Sequence, residues 1–319
     1  MHLPGTWVLL VFMVAFGGGS ASSHSSTRAL SWSRTVERES VHRVSVAEVL
    51  LTDVVRVADT TFLAAAQWPR SHPTFRPTDD GGHSRLMVLE TLRQLGIFIP
   101  GQFYAVPPEA HFLIKDLFYG VDASAEPRSP HGACDITCLA EVDDFRPTPD
   151  GRGLRGVRLR MRLSVGATTF ARAGGNARFV DPHTYAALRR GATGAGAATA
   201  RVRPTPEAVD VTLPRDVLVA GPDGGVLEVD PADRLHPFFF DHAGDHVPGM
   251  VLVEAARQAI ALVSGGELLR PTAFRLRAPL FTEFDPPARI ECTLHHGRQA
   301  AFRFRQGGVY TALGAARYR

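Results

Sequence analysis

Asp241-His242-Ala243-Gly244-Asp245-His246-Val247-Pro248-Gly249-Met250-Val251-Leu252-Val253-Glu254-Ala255-Ala256-Arg257-Gln258 carries more information about the fold than any other stretch of the chain. Val247-Pro248-Gly249 reads as a helix start and Gly265-Gly266 as its stop. Glu254, Arg257 and Gln258 stand at i, i+3 and i+4, on one helical face, inside an otherwise apolar run. The same triplet occurs earlier as Glu90, Arg93 and Gln94, after Leu86-Met87-Val88-Leu89. A histidine precedes each helix closely, His83 in one case and His246 in the other. The two glutamates are 164 residues apart, far beyond a solenoid period, so the spacing is that of two duplicated domains. Helices are predicted over 84–98 and 249–263, both apolar nearly all round and therefore buried.

The flanks read as strands. Val157, Leu159, Met161, Leu163 and Val165 alternate with Arg158, Arg160, Arg162 and Ser164, a period of two. Phe274, Leu276 and Ala278 alternate with Arg275 and Arg277. Residues 300–304 and 309–313, joined through Gly307-Gly308, read as a hairpin. Each half thus has one buried helix and several antiparallel strands, an α+β arrangement of sheet wrapped around a helix. The divisions expected are an N-terminal extension over 1–40, a first domain over 41–185, a linker over 186–206 and a second domain over 207–319. The linker assignment rests on Gly191-Ala192-Thr193-Gly194-Ala195-Gly196 and on Pro204 and Pro206.

Length and composition set limits. A chain of 319 residues with 45% hydrophobic and 21% charged residues is an ordinary globular one with room for two domains. The net charge is only +3. Lys115 is the only lysine and the arginines are scattered, so no nucleic-acid partner is implied. Three cysteines make no disulfide framework. Cys134 and Cys138 share a strand face and read as small buried side chains in a reducing compartment. Residues 7–16 imitate a signal-peptide core, but Met1 to Thr6 holds no Lys or Arg. An export signal and an upstream extension from a misassigned start both remain open. The run is too short to span a bilayer, and no membrane association is expected.

A polar triplet within an apolar helix has two readings. It is a surface stripe with an intrahelical Glu–Arg pair, or it is a site. Burial raises a carboxyl pKa and a neighbouring arginine lowers it, which would tune Glu254 or Glu90 for acid–base work near neutrality. Asp241-His242 and Asp245-His246 bring imidazoles to a helix N-terminus, where the backbone N–H groups at Gly249 could polarise a thioester carbonyl. Zinc is the rival for His242, His246 and the aspartates. No H-x3-H face or cysteine supports it, so no metal is expected.

Pro248-Gly249 followed by Glu254-Ala255-x-x-Gln258 resembles the hot-dog-fold 3-hydroxyacyl-carrier-protein dehydratases. The fuller string from Asp241 to Gln258 is more similar to the A-factor biosynthesis hot-dog proteins, the γ-butyrolactone autoregulator synthases of high-GC filamentous bacteria. Trp68-Pro69, His72-Pro73, Glu90-x-x-Arg93-Gln94, Tyr104-x-Val106-Pro107 and His111-Phe112-Leu113 agree with it. The resemblance spans residues 40–319 and implies a double hot dog. It implies an acyltransferase moving a β-ketoacyl chain from acyl carrier protein to the hydroxyl of dihydroxyacetone phosphate, in the cytoplasm and without a cofactor. A dehydratase or thioesterase of a secondary-metabolite pathway, or a non-catalytic acyl-binding hot dog, is the alternative. In this reading Glu254, Arg257, Glu90 and His242 are catalytic, and Arg93, His246, Gln94, Gln258 and Gly249 bind substrate. The two halves would form a pseudo-dimer within one chain, with a homodimer left open. The first helix follows Gly81-Gly82-His83-Ser84-Arg85 and lacks Pro-Gly, so the first-half site is expected to be altered or to serve binding.

Overall fold

Strict alternation in the sequence becomes twelve antiparallel strands of one sheet, counted among the residues that the computed structural model describes: 29–75, 77–78, 80–129, 131–151, 153–191, 201–221 and 225–319. The first half supplies β1 (Leu51–Ala58), β2 (Thr61–Trp68), β3 (His111–Val121), β4 (Cys134–Pro147), β5 (Leu154–Val165) and β6 (Thr168–Val180). The second supplies β7 (Val219–Ala220), β8 (Glu228–Val229), β9 (Ala273–Arg277), β10 (Arg289–His295), β11 (Gln299–Gln306) and β12 (Val309–Arg317). Their order is β1-β2-β4-β5-β6-β3-β9-β12-β11-β10-β8-β7. The halves meet where β3 pairs with β9, Leu117 opposite Leu276 and Tyr119 opposite Phe274. On β5 Val157, Leu159, Met161 and Leu163 are buried while Arg158 and Arg162 are exposed, as the period of two requires.

One long helix belongs to each half: α1 (Leu86–Tyr104) packs on β3, β5 and β6, and α3 (Gly249–Val263) on β7, β10 and β11. A short α2 (Pro182–Leu188) follows β6. α3 has the predicted bounds. α1 runs six residues past 98, through Pro100, because its last turn is anchored elsewhere. Phe103 and Tyr104 pack on Phe62 with ring centroids 4.9 and 6.1 Å away, and Arg56 lies over all three rings.

Part of the stretch expected to be an extension, before residue 40, makes contact with the first half. The Val36 amide donates to the Leu51 carbonyl and the Ser31 amide to Asp53, so this stretch is docked on β1. Residues 1–28 and 192–200, which include the signal-like run and most of the Gly/Ala stretch, lie outside the described residues. Of the predicted linker, residues 186–188 close α2. Beyond it, Arg201 pairs with Glu228 and Arg203 with Asp230, which ties that end to the second half. Cys134 and Cys138 are buried free thiols on β4. Burial pushes the Cys138 and Cys292 thiols up to about 12, which leaves no thiolate nucleophile there. Among the described residues no helix is long and apolar enough to cross a membrane.

Candidate active site

Glu90 is fully buried on α1 and accepts from three side chains. Arg93 reaches it through Nε to Oε2 and Nη2 to Oε1, both 2.9 Å. Arg43 donates from Nε at 3.2 Å, and Gln94 from Nε2 at 2.6 Å. Burial pushes the Glu90 carboxyl up, but Arg43, Arg93 and Gln94 together outweigh it and hold the pKa down at about 2. Glu90 is therefore permanently ionised, and the expectation of a base near neutrality does not hold for it. On α3, Glu254 accepts from Arg257 Nε at 2.9 and 3.1 Å and from Gln258 Nε2 at 3.0 Å.

The two glutamines, expected to bind substrate, have their side chains engaged by the backbone. Gln94 Oε1 accepts from the Leu50 and Leu51 amides at 2.9 and 3.2 Å, and its Nε2 also donates to the Glu48 carbonyl at 2.8 Å. Gln258 does the same with the Leu218 amide and the Asp216 carbonyl, each at 2.8 Å. Both side chains are fully buried, and their polar atoms are taken by the backbone. Beside them stand two pairs that sequence reasoning passed over. His72 Nε2 lies 2.9 Å from Glu48 Oε2, and His236 Nε2 lies 2.8 Å from Asp216 Oδ1. The signal was a His-Pro dipeptide eighteen residues before each helical glutamate.

Two cavities flank the helices, and each joins the halves. The larger, about 920 Å³, brings His42, Arg43 and Arg93 of the first half to His242, His246 and Gly249 of the second. Leu89, Ile97, Leu113, Val157 and Leu159 supply apolar side chains to its lining. The smaller, about 260 Å³, holds Glu254 and Arg257 with Thr78, Ser84, Arg85 and Arg270. The histidines that precede α3 in sequence thus face Arg93, not Glu254. Helix geometry explains this: five residues separate Gly249 from Glu254, and at about 100° each they point some 140° apart around the axis. The missing Pro-Gly before α1 has its counterpart in the lining of the two cavities. α1 meets the His-rich loop of the other half, and α3 is left with Pro77, Thr78, Ser84 and Arg85 where the larger cavity has Asp241, His242, Pro248 and Gly249. Arg85, bridged to Glu126 at 2.8 Å, lines the smaller cavity at the place that Gly249 takes in the larger.

The loop is braced from the first half. Asp241 accepts from the Val44 and Ser45 amides at 2.7 and 3.3 Å. Asp245 Oδ1 accepts from Tyr185 at 2.5 Å and lies 2.8 Å from His246 Nδ1, while Arg189 spans Asp245 and Glu283. Burial, then Arg93, lowers the His242 pKa against the opposing pull of Asp241. These surroundings favour the neutral imidazole, the form that can accept a proton. Pro248 caps α3 with no side-chain bond, so the first amides of the helix lack intrahelical acceptors and stand at the cavity wall. A Cβ at Gly249 would meet only Ile114 Cδ1, at 3.8 Å, so packing alone does not require glycine there. Among the described residues no set of three His, Cys, Asp or Glu side chains converges as metal ligands.

Antiparallel strands curled on long buried helices, with polar groups where a helix start meets a second helix, define a hot-dog-fold protein. The chain belongs to the A-factor biosynthesis hotdog family, whose domain profile matches residues 24–181 and 205–274. It is 34% identical over 261 residues to a 2-oxo-3-(phosphooxy)propyl 3-oxoalkanoate synthase of Streptomyces virginiae, covering 81% of this chain and 86% of that one. A protein of the same name from Streptomyces coelicolor is 30% identical over 271 residues, covering 82% of each chain. Among solved structures it is similar to a 12:0-ACP thioesterase from Umbellularia californica, with TM-score 0.47 and 12% identity over 80% of this chain and 97% of that chain.

Proposed function

We propose that the protein is the acyltransferase that esterifies dihydroxyacetone phosphate with a 3-oxoacyl chain, and that the transfer takes place in the larger cavity. One observation carries the site assignment: His242, the uncapped start of α3 and Arg93 line one cavity together with a set of apolar side chains. The relatives' shared name supplies the reaction. His242 takes the proton from the acceptor hydroxyl, whose oxygen attacks the thioester carbon. The oxyanion that forms is met by the amides at Gly249 and Met250. The carbon–sulfur bond then breaks, and the leaving thiolate takes the proton back from His242. Arg93 Nη1 has no acceptor among the described residues and offers its two N–H groups to the phosphate. Glu90 fixes Arg93 and Arg43, and the Glu254–Arg257 pair fixes the second half.

In the same reading the halves are two hot dogs forming a double hot dog, over 41–185 and 207–319, joined through 186–206. The donor is acyl carrier protein, which with triose phosphate places the reaction in the cytoplasm. The test is incubation with a 3-oxooctanoyl thioester of acyl carrier protein and dihydroxyacetone phosphate, read by mass spectrometry. A phosphorylated 3-oxo ester is expected. Hydrolysis alone would make the protein a thioesterase, and no turnover would leave an acyl-binding hot dog.

A further inference from the structure

His42 closes a 3-10 turn at φ 50°, in the left-handed region that side chains seldom adopt. The equivalent place in the second half is Asp210, at φ 52° and also closing a 3-10 turn. The equivalence rests on contacts: Arg93 Nη2 donates to the carbonyl before His42, and Arg257 Nη2 to the carbonyl before Asp210. The backbone therefore needs this conformation in both halves. A short polar residue satisfies it beside the smaller cavity, while the larger cavity receives an imidazole.

That imidazole has no hydrogen-bond partner among the described residues, although it is half-buried. The ring meets Phe112 in a T-shaped contact with centroids 4.9 Å apart, and it lines the larger cavity together with Arg93 and His242. It thus has both apolar and charged side chains of the cavity lining as neighbours. The 3-oxo oxygen of an acyl thioester is a polar atom two carbons beyond the reacting carbonyl, and inside an apolar lining it needs a donor. We infer that His42 is the residue that selects 3-oxoacyl over saturated chains, by donating a ring N–H to the 3-oxo oxygen. Burial, with Arg93, His242 and His111, holds the ring neutral with a pKa of about 4, so one nitrogen keeps its proton and the other does not. A saturated chain leaves the donor unpaired, which costs binding in the transition state.

The inference rests on the transferase reading. The experiment compares 3-oxooctanoyl and octanoyl thioesters in wild type, His42→Gly, His42→Asn and His42→Gln, with dihydroxyacetone phosphate as acceptor. Glycine suits φ 50° without strain and removes the ring. Wild type should prefer the 3-oxo substrate, and His42→Gly should lose about 10- to 100-fold of that preference through the 3-oxo substrate alone. Asn and Gln place an amide N–H near the Nδ1 and Nε2 positions respectively, so one of them should restore part of the preference. An unchanged preference in His42→Gly, an equal fall on both thioesters, or no restoration by either amide would overturn the inference. A wild type that esterifies neither thioester would overturn the transferase reading itself.

Discussion

Arg93 grips Glu90 through two parallel hydrogen bonds of 2.9 Å, and the carboxylate they hold is also held by Arg43 from a segment 47 residues away. The pair is a buried anchor that aims two guanidinium groups at the larger cavity. Because two cations share one fully buried anion, its neutralisation leaves an uncompensated charge. Glu90→Gln should cost on the order of 3–5 kcal/mol of stability, measured by urea unfolding. Glu254→Gln, with one guanidinium and a partly open carboxylate, should cost clearly less.

Arg93→Lys tests the phosphate contact. Lysine keeps the charge but cannot hold Glu90 by two bonds and still present a further donor pair. Steady-state kinetics should show KM for dihydroxyacetone phosphate rising at least tenfold, with that for the thioester little changed. A change confined to the thioester would remove Arg93 from the acceptor side.

Gly249→Ala separates packing from function. An added Cβ meets only Ile114, at contact distance, so the melting temperature should stay within about 2 °C. The methyl group intrudes where the thioester carbonyl approaches the start of α3, and kcat/KM should fall by about 10-fold or more. Full activity would place the carbonyl elsewhere.

Acid should unfold the protein in two stages. His42 titrates at about 4 when folded, against 6.5 when unfolded, so the unfolded chain takes the proton first. Stability therefore falls as pH drops from about 6.5 to about 4. Glu90 titrates at about 2 against 4.5, so its contribution is present above 4.5 and is lost from about 4.5 down to 2. His42→Gly should shrink the first stage, to which the lowered His83 and His242 also contribute, and leave the second, as seen by urea unfolding at stepped pH.

The duplicated Glu-x-x-Arg-Gln helices were legible because their spacing is local and each sits in an apolar run. The alternation on β5 was legible for the same reason. Which loop serves which helix was not. His242 precedes Glu254 by only twelve residues, yet it faces Arg93, because the two halves exchange loops across the β3–β9 seam. His42 and Arg43 escaped notice since they lie in an aperiodic segment before β1, and only tertiary contacts with Glu90 and the larger cavity give them meaning. The backbone partners of Gln94 and Gln258 were not legible either, because sequence shows a polar face and not the amides and carbonyls that meet it.

The central claim is that transfer takes place where α1 meets the loop before α3, and not beside Glu254. His242→Gln and Glu254→Gln, measured for ester formation and thermal unfolding on the same preparations, test it most directly. His242→Gln should fold normally and lose about 10²–10⁴-fold in kcat. Glu254→Gln should melt lower and keep its rate per folded molecule. A Glu254→Gln variant that folds as wild type but forms no ester, alongside an active His242→Gln, would contradict the account.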